Sequence, residues 1–182
     1  MAITKGVNAT AIDTDDPFNF LSAGNFAGNV RVAMDSRACD AGDLNADGDA
    51  IVLAQIPSNA RIVSIQLHND DLDSGTDSSV NVGLYNGSEQ FTDTDGSATV
   101  YAADAVIDED CFATGITELR STNHGAEVGF QKAGRKNTPL RRAWEDAGLT
   151  SDPGVPLRIA ITQTATVSGA QAGDVVVVVQ YV

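Results

Sequence analysis

Few residues in this 182-residue sequence have a type and spacing that does chemistry. Its only histidines are His68 and His124. Catalysis by a general base or an activated nucleophile needs a base held by an orienting partner. His68 shares a strand face with Ser64 and Gln66, and His124 sits in the polar stretch Ser121-Thr122-Asn123-His124-Gly125, so nothing local supplies such a pair. There is no Ser-centred elbow, no His-Glu-x-x-His and no helix-borne group of carboxylates.

The nearest approach to a ligand motif is Asp43-Leu44-Asn45-Ala46-Asp47-Gly48-Asp49. It opens as calcium loops do, with side-chain oxygens on Asp43, Asn45 and Asp47 and a glycine for the sharp turn. The match stops there, because the closing bidentate Glu falls on Ala54 and no helix flanks the loop. Calcium is kept as an alternative to the simpler reading, an Asp/Gly turn feeding a strand; no other cofactor is expected. Asp70, Asp71, Asp73 and Asp77, and separately Asp93 and Asp95, could also cage a hard cation, but read first as solvated loop tips. Cys39 and Cys111 form no Cys-x-x-Cys pair and read as buried thiols.

Charge narrows the function classes further. The formal net charge is -14, with 20 Asp against 5 Glu. Asp competes with its own backbone for hydrogen bonds and gathers in turns, so this skew describes strands joined by Asp-rich loops. A protein that grips phosphates needs a basic footprint, so nucleic acid is excluded as a partner, and anionic membranes with it. One segment has the opposite sign: Lys132, Arg135, Lys136, Arg141 and Arg142 are five of the 11 basic residues. It either docks on an acidic patch of a neighbour, including another copy, or is a solvated loop and helix face. The N-terminus lacks an apolar core, and no stretch approaches the roughly 20 apolar residues of a membrane span, so a soluble protein without an export signal is expected.

These residues must be positioned by two parts. Residues 1–29 carry an apolar cluster of Phe18, Phe20, Leu21 and Phe26 but no sustained period, and are expected to be an extended arm ordered by what it touches. Residues 30–182 are expected to form one domain. Val30 to Met34 alternates like a strand, 49–56 reads as a buried strand ended by Pro57, and 61–68 alternates again, with a turn at 57–60 that predicts a hairpin. Val80, Val82 and Leu84 point inward from a strand over 79–85, and Asn86-Gly87 turns the chain. Thr99 to Tyr101 predicts a short strand, 102–110 a helical turn or two, and 120–137 an extended excursion. Pro139 opens a helix over 140–147, which Gly148 closes. Strands over 157–162 and 174–182 finish the chain, and five consecutive valines predict that the last is buried on both faces. The reading is mainly β: a two-sheet β-sandwich or jelly roll of about seven strands with one short helix.

The order of these features carries a resemblance. An arm and a strand precede Ile56-Pro57-Ser58-Asn59-Ala60-Arg61-Ile62, and the next strand ends in Asn69-Asp70. Val80-Asn81-Val82-Gly83-Leu84-Tyr85, Trp144-Glu145-Asp146-Ala147-Gly148-Leu149, Ser151-Asp152-Pro153-Gly154 and Gln180-Tyr181-Val182 follow. Over residues 30–182 this resembles small virion structural proteins of tailed bacteriophages, the head-decoration or capsid-cement type. The arm and acidic loops are longer and richer in Asp than in that type. The resemblance implies a non-enzymatic protein, assembled in the host cytoplasm and attached to the capsid exterior. It also implies a homotrimer clamping neighbouring major capsid proteins. The arm residues Phe18, Phe20, Leu21 and Phe26 and the basic segment are then the expected contacts, since arms ordered on binding gain avidity from symmetric copies. A head-fibre or tail-associated protein, and a calcium-dependent carbohydrate-binding module using the Asp43 loop, are the alternatives.

Overall fold

The structure, a computed structural model, describes residues 29–95, 97–133 and 141–182. It is mainly β, with two four-stranded antiparallel sheets. The first has the order β1-β10-β3-β8, built from β1 (Arg31–Cys39), β10 (Gly173–Tyr181), β3 (Ile62–Asn69) and β8 (Asn123–Glu127). In the second the order is β2-β9-β4-β7, from β2 (Ala50–Ile56), β9 (Leu157–Gln163), β4 (Val80–Asn86) and β7 (Val106–Ile116). A two-stranded ribbon of β5 (Phe91–Asp95) and β6 (Ser97–Tyr101) projects between β4 and β7 in sequence. Among the described residues the helical parts are a 3-10 turn at Glu118–Arg120 and α1 (Ala143–Asp146).

The core lies between the sheets and is largely aliphatic, in a chain of which only 5% is aromatic. Ile62, Ile65 and Leu67 of β3 and Val175, Val177 and Val179 of β10 are fully buried from one side. Val80, Val82 and Leu84 of β4, Ile159 and Ile161 of β9 and Phe112 of β7 close it from the other. Each such side chain contributes about 1.5–3 kcal/mol on leaving water. Alternation in β3 slips at Ile62, where the β3–β10 register shifts next to Tyr181, so Ile62 is buried along with Ile65 and Leu67.

Four sequence expectations give way to the packing. The residues on either side of Pro57 to Ala60 do not form a hairpin: β2 pairs with β9 and β3 with β10 and β8, so the turn carries the chain from one sheet to the other. The helix segment holds that crossing, since Trp144 N donates to Ser58 O (3.0 Å) and Ala143 N to Ala60 O (2.8 Å). Residues 102–110 are not helical from Val106 onward, because β7 begins there and pairs with β4 through three register shifts. The expected excursion contains β8, which Gln66 and Leu67 of β3 recruit as an edge. Finally, β10 is not buried on both faces; Val176 and Val178 are only half covered on the outer side of their sheet.

Two glycines are needed for this arrangement. At Gly83 a Cβ would stand 2.1 Å from Asp108 O and 2.3 Å from Glu109 C, so β7 crosses β4 closely only because no side chain intervenes. Gly148 takes φ +73° directly after the helix, where Leu149 N donates back to Trp144 O at 3.0 Å.

Candidate protein-binding surface

Several of the residues whose types could do chemistry hold loops together. His68 and His124 stand opposite one another across β3 and β8, a juxtaposition hidden by their separation in sequence. In the Asp43 loop, Asp43 Oδ2 accepts from Arg37 Nη2 at 3.0 Å and from Asp40 N at 3.1 Å. The Arg37 hydrogen bond, aided by Asp40 N–H, holds this carboxyl below the usual Asp range. Asp49 Oδ2 accepts from Ala46 N (2.7 Å) and Asn45 N (3.1 Å), so the loop closes on its own backbone. Asp47 is exposed. Among the described residues no three His, Cys, Asp or Glu side chains converge to hold a metal.

Of the basic segment, Lys132, Arg141 and Arg142 lie among the described residues. Lys132 Nζ lies 2.6 Å from Asp110 Oδ1 and 3.8 Å from Asp108 Oδ2. Its backbone N donates to Phe112 O at 2.8 Å, so Lys132 is clipped to β7. Burial lowers the Lys132 pKa, but the bond to Asp110 and the charges of Asp108 and Asp110 together outweigh it and the net shift is upward; the bond from Lys132 shifts Asp110 down. Asp108, more buried, shifts up. Arg141 and Arg142 are exposed beside α1, where Arg141 Nη2 donates to Glu145 O at 2.7 Å. Arg135 and Lys136, and the arm residues Phe18, Phe20, Leu21 and Phe26, lie outside the described residues. Cys39 and Cys111 are both buried.

A different surface stands out on β1. Val30, Val32 and Met34 expose 57%, 61% and 70% of their area, three alternate residues on one face. Val32 and Met34 lie opposite Gln180 and Val178 of β10, so the apolar strip continues onto the half-covered Val178 and Val176. The strand is also an edge: its inner flank pairs with β10 over nine residues without a shift, and its other flank has no strand partner among the described residues. Soluble proteins blunt such edges with bulges, prolines or short length, and rarely leave apolar side chains along them. β1 carries charges on one face, Arg31, Asp35 and Arg37, but a nine-residue edge whose other face exposes Val32 and Met34 is a form that can recruit another chain.

The alternation at Val30 to Met34 marks a strand but not its exposure. Alternation says that two faces differ, whereas the place of a strand in its sheet decides which face meets solvent. Beside the strand, Arg37, Asp43, Ala50, Ile51, Val52, Asp104 and Arg158 line an open groove of about 400 Å³. Its charges pair off, Arg37 with Asp43 and Arg158 with Asp104, so the groove joins the surface without adding a reactive group. No helix among the described residues is long and apolar enough to cross a membrane.

Comparison with known proteins is informative at the level of architecture. No protein-family model and no curated protein matches the sequence. Among solved structures, a chain of the capsid of Ralstonia phage GP4 superposes with a TM-score of 0.55 at 18% identity, covering 86% of this chain and 85% of that one. A chain of the cyanophage Pam1 capsid asymmetric unit aligns at 19% identity over 93% and 96% of the two chains, with a TM-score of 0.42. At such identity the GP4 likeness establishes a shared fold.

Proposed function

We propose that this chain is a non-enzymatic virion structural protein of a tailed bacteriophage, of the head-decoration type, which binds the outer surface of the major capsid protein shell and stabilises it. The observation that carries the reading is the exposed apolar edge strand β1, set on a fold shared with a chain of a phage capsid.

Stable protein interfaces bury about 1,600 Å², more than one strand supplies. The arm, with Phe18, Phe20, Leu21 and Phe26, and the basic residues Lys132, Arg135, Lys136, Arg141 and Arg142 are the proposed remaining contacts. An acidic body with an apolar strip suits a protein that stays soluble before it docks. The test adds purified full-length protein to shells of the major capsid protein made without it, followed by sedimentation. Saturable co-sedimentation is expected, weakened by deleting residues 1–25 while the far-ultraviolet spectrum is preserved. Shells that pellet without the protein at micromolar concentrations contradict the reading, and unchanged binding by the truncated form removes the arm from it.

A further inference from the structure

Strand β1 is complementary to itself. Residues directly opposite on neighbouring strands share a face, and opposite charges or apolar pairs at such positions stabilise a ladder while like charges weaken it. Along β1 the outer face carries Val30, Val32, Met34 and Ser36, and the other face Arg31, Ala33, Asp35 and Arg37. If a second copy approaches antiparallel with Ala33 opposite Ala33, Val32 meets Met34 twice and Arg31 meets Asp35 twice. All four of these side chains are exposed in the single chain. Neighbouring registers that keep both cores on one side lose this match. Centring on Met34 sets Arg31 against Arg37, centring on Asp35 sets that carboxylate against itself, and centring on Val32 opposes Arg31 with Ala33.

We infer that two copies of this chain join their β1 edges about a two-fold axis through Ala33, fusing two four-stranded sheets into one of eight strands. The contact pairs the β1 flank that has no strand partner among the described residues and covers Met34, the most exposed large apolar side chain among them, with Val32 of the other copy. Arg37 keeps its own partner, Asp43, so the charges left at the ends of the ladder are already neutralised. The pair occupies the free edge of β1, so in that form contact with a shell falls to the arm and the basic segment. An isologous edge closes at two copies, whereas the three-fold assembly implied by resemblance needs a head-to-tail contact.

The test uses the full-length chain. Light scattering should give the mass of two chains, falling to one on dilution. Arg31→Asp, at an exposed position, sets two like-charged pairs in the ladder and should weaken association roughly ten-fold. Adding Asp35→Arg to it restores opposite charges and should restore association. Ala33→Cys should form an intermolecular disulfide on mild oxidation, because opposed strand residues lie within disulfide reach. Ser36→Cys should not, since its own copy is six residues along the partner strand. A single-chain mass at all concentrations, a three-chain mass, failure of the double charge exchange to rescue, or linking through Ser36→Cys instead of Ala33→Cys would each overturn the inference.

Discussion

Removal of the Asp73 side chain should cost the fold about 3 kcal/mol. Only 1% of this residue is exposed, in the loop between β3 and β4. Its carboxylate accepts from Gly75 N (2.9 Å), Asp77 N (2.8 Å) and Ser78 N (2.7 Å). Each such bond contributes about 1 kcal/mol net, and the Ser78 N–H is buried, so Asp73→Ala leaves a donor without water to turn to. With a urea slope of about 2 kcal/mol/M for a domain of this size, the unfolding midpoint should fall by roughly 1.5 M at neutral pH. The pH dependence has a definite sign. Burial disfavours the charged form, but the three backbone donors outweigh it, and the folded pKa lies below the ordinary Asp value. The stabilisation is therefore present above about pH 4, the unfolded value, and is lost as pH falls through the folded value. Urea titrations of parent and variant at pH 7 and pH 3 read this directly. Equal midpoints at pH 7, or a gap that does not narrow at pH 3, would refute the reasoning.

Two further substitutions test other parts of the account. Gly83→Ala drives a methyl into the backbone of Asp108 and Glu109, neither of which can rotate away, so β7 must separate from β4. We expect a loss of about 3 kcal/mol or more, seen as a collapsed thermal midpoint or insoluble expression. Lys132→Met removes the cation beside Asp110 and Asp108 on a partly exposed surface. After screening by solvent the stability cost should be about 0.5 kcal/mol, while carboxyl-detected titration should show the Asp108 pKa, already raised, moving further up.

What the sequence revealed was seven of the ten described strands, β1 to β4, β6, β9 and β10, because the apolar residues that face the core recur at every second position, as in Val80, Val82 and Leu84 of β4 and Val175, Val177 and Val179 of β10. What it concealed was their pairing. Ile56 and Ile62 flank a turn that looks like a hairpin, yet both are buried to within 1% and the chain between them changes sheets, held by Trp144 and Ala143 from nearly ninety residues away. The start of β7 was hidden by Asp108-Glu109-Asp110, which reads as a turn or helix start until Lys132 is seen beside it. The strand at Val30 to Met34 was legible as a strand, but its exposure followed only from its place at the edge of the sheet. Among the five basic residues close in sequence, only the structure shows that Lys132 sits beside Asp110 of β7.

The central claim is that this acidic β-sandwich offers a protein-binding surface and uses it on the outside of a capsid shell. Cryo-electron microscopy of major capsid protein shells, with and without the purified chain, tests it most directly. The account predicts extra density on the outer surface at symmetry-related positions, into which the two four-stranded sheets fit. Identical maps, or added density only on the inner surface, would contradict it.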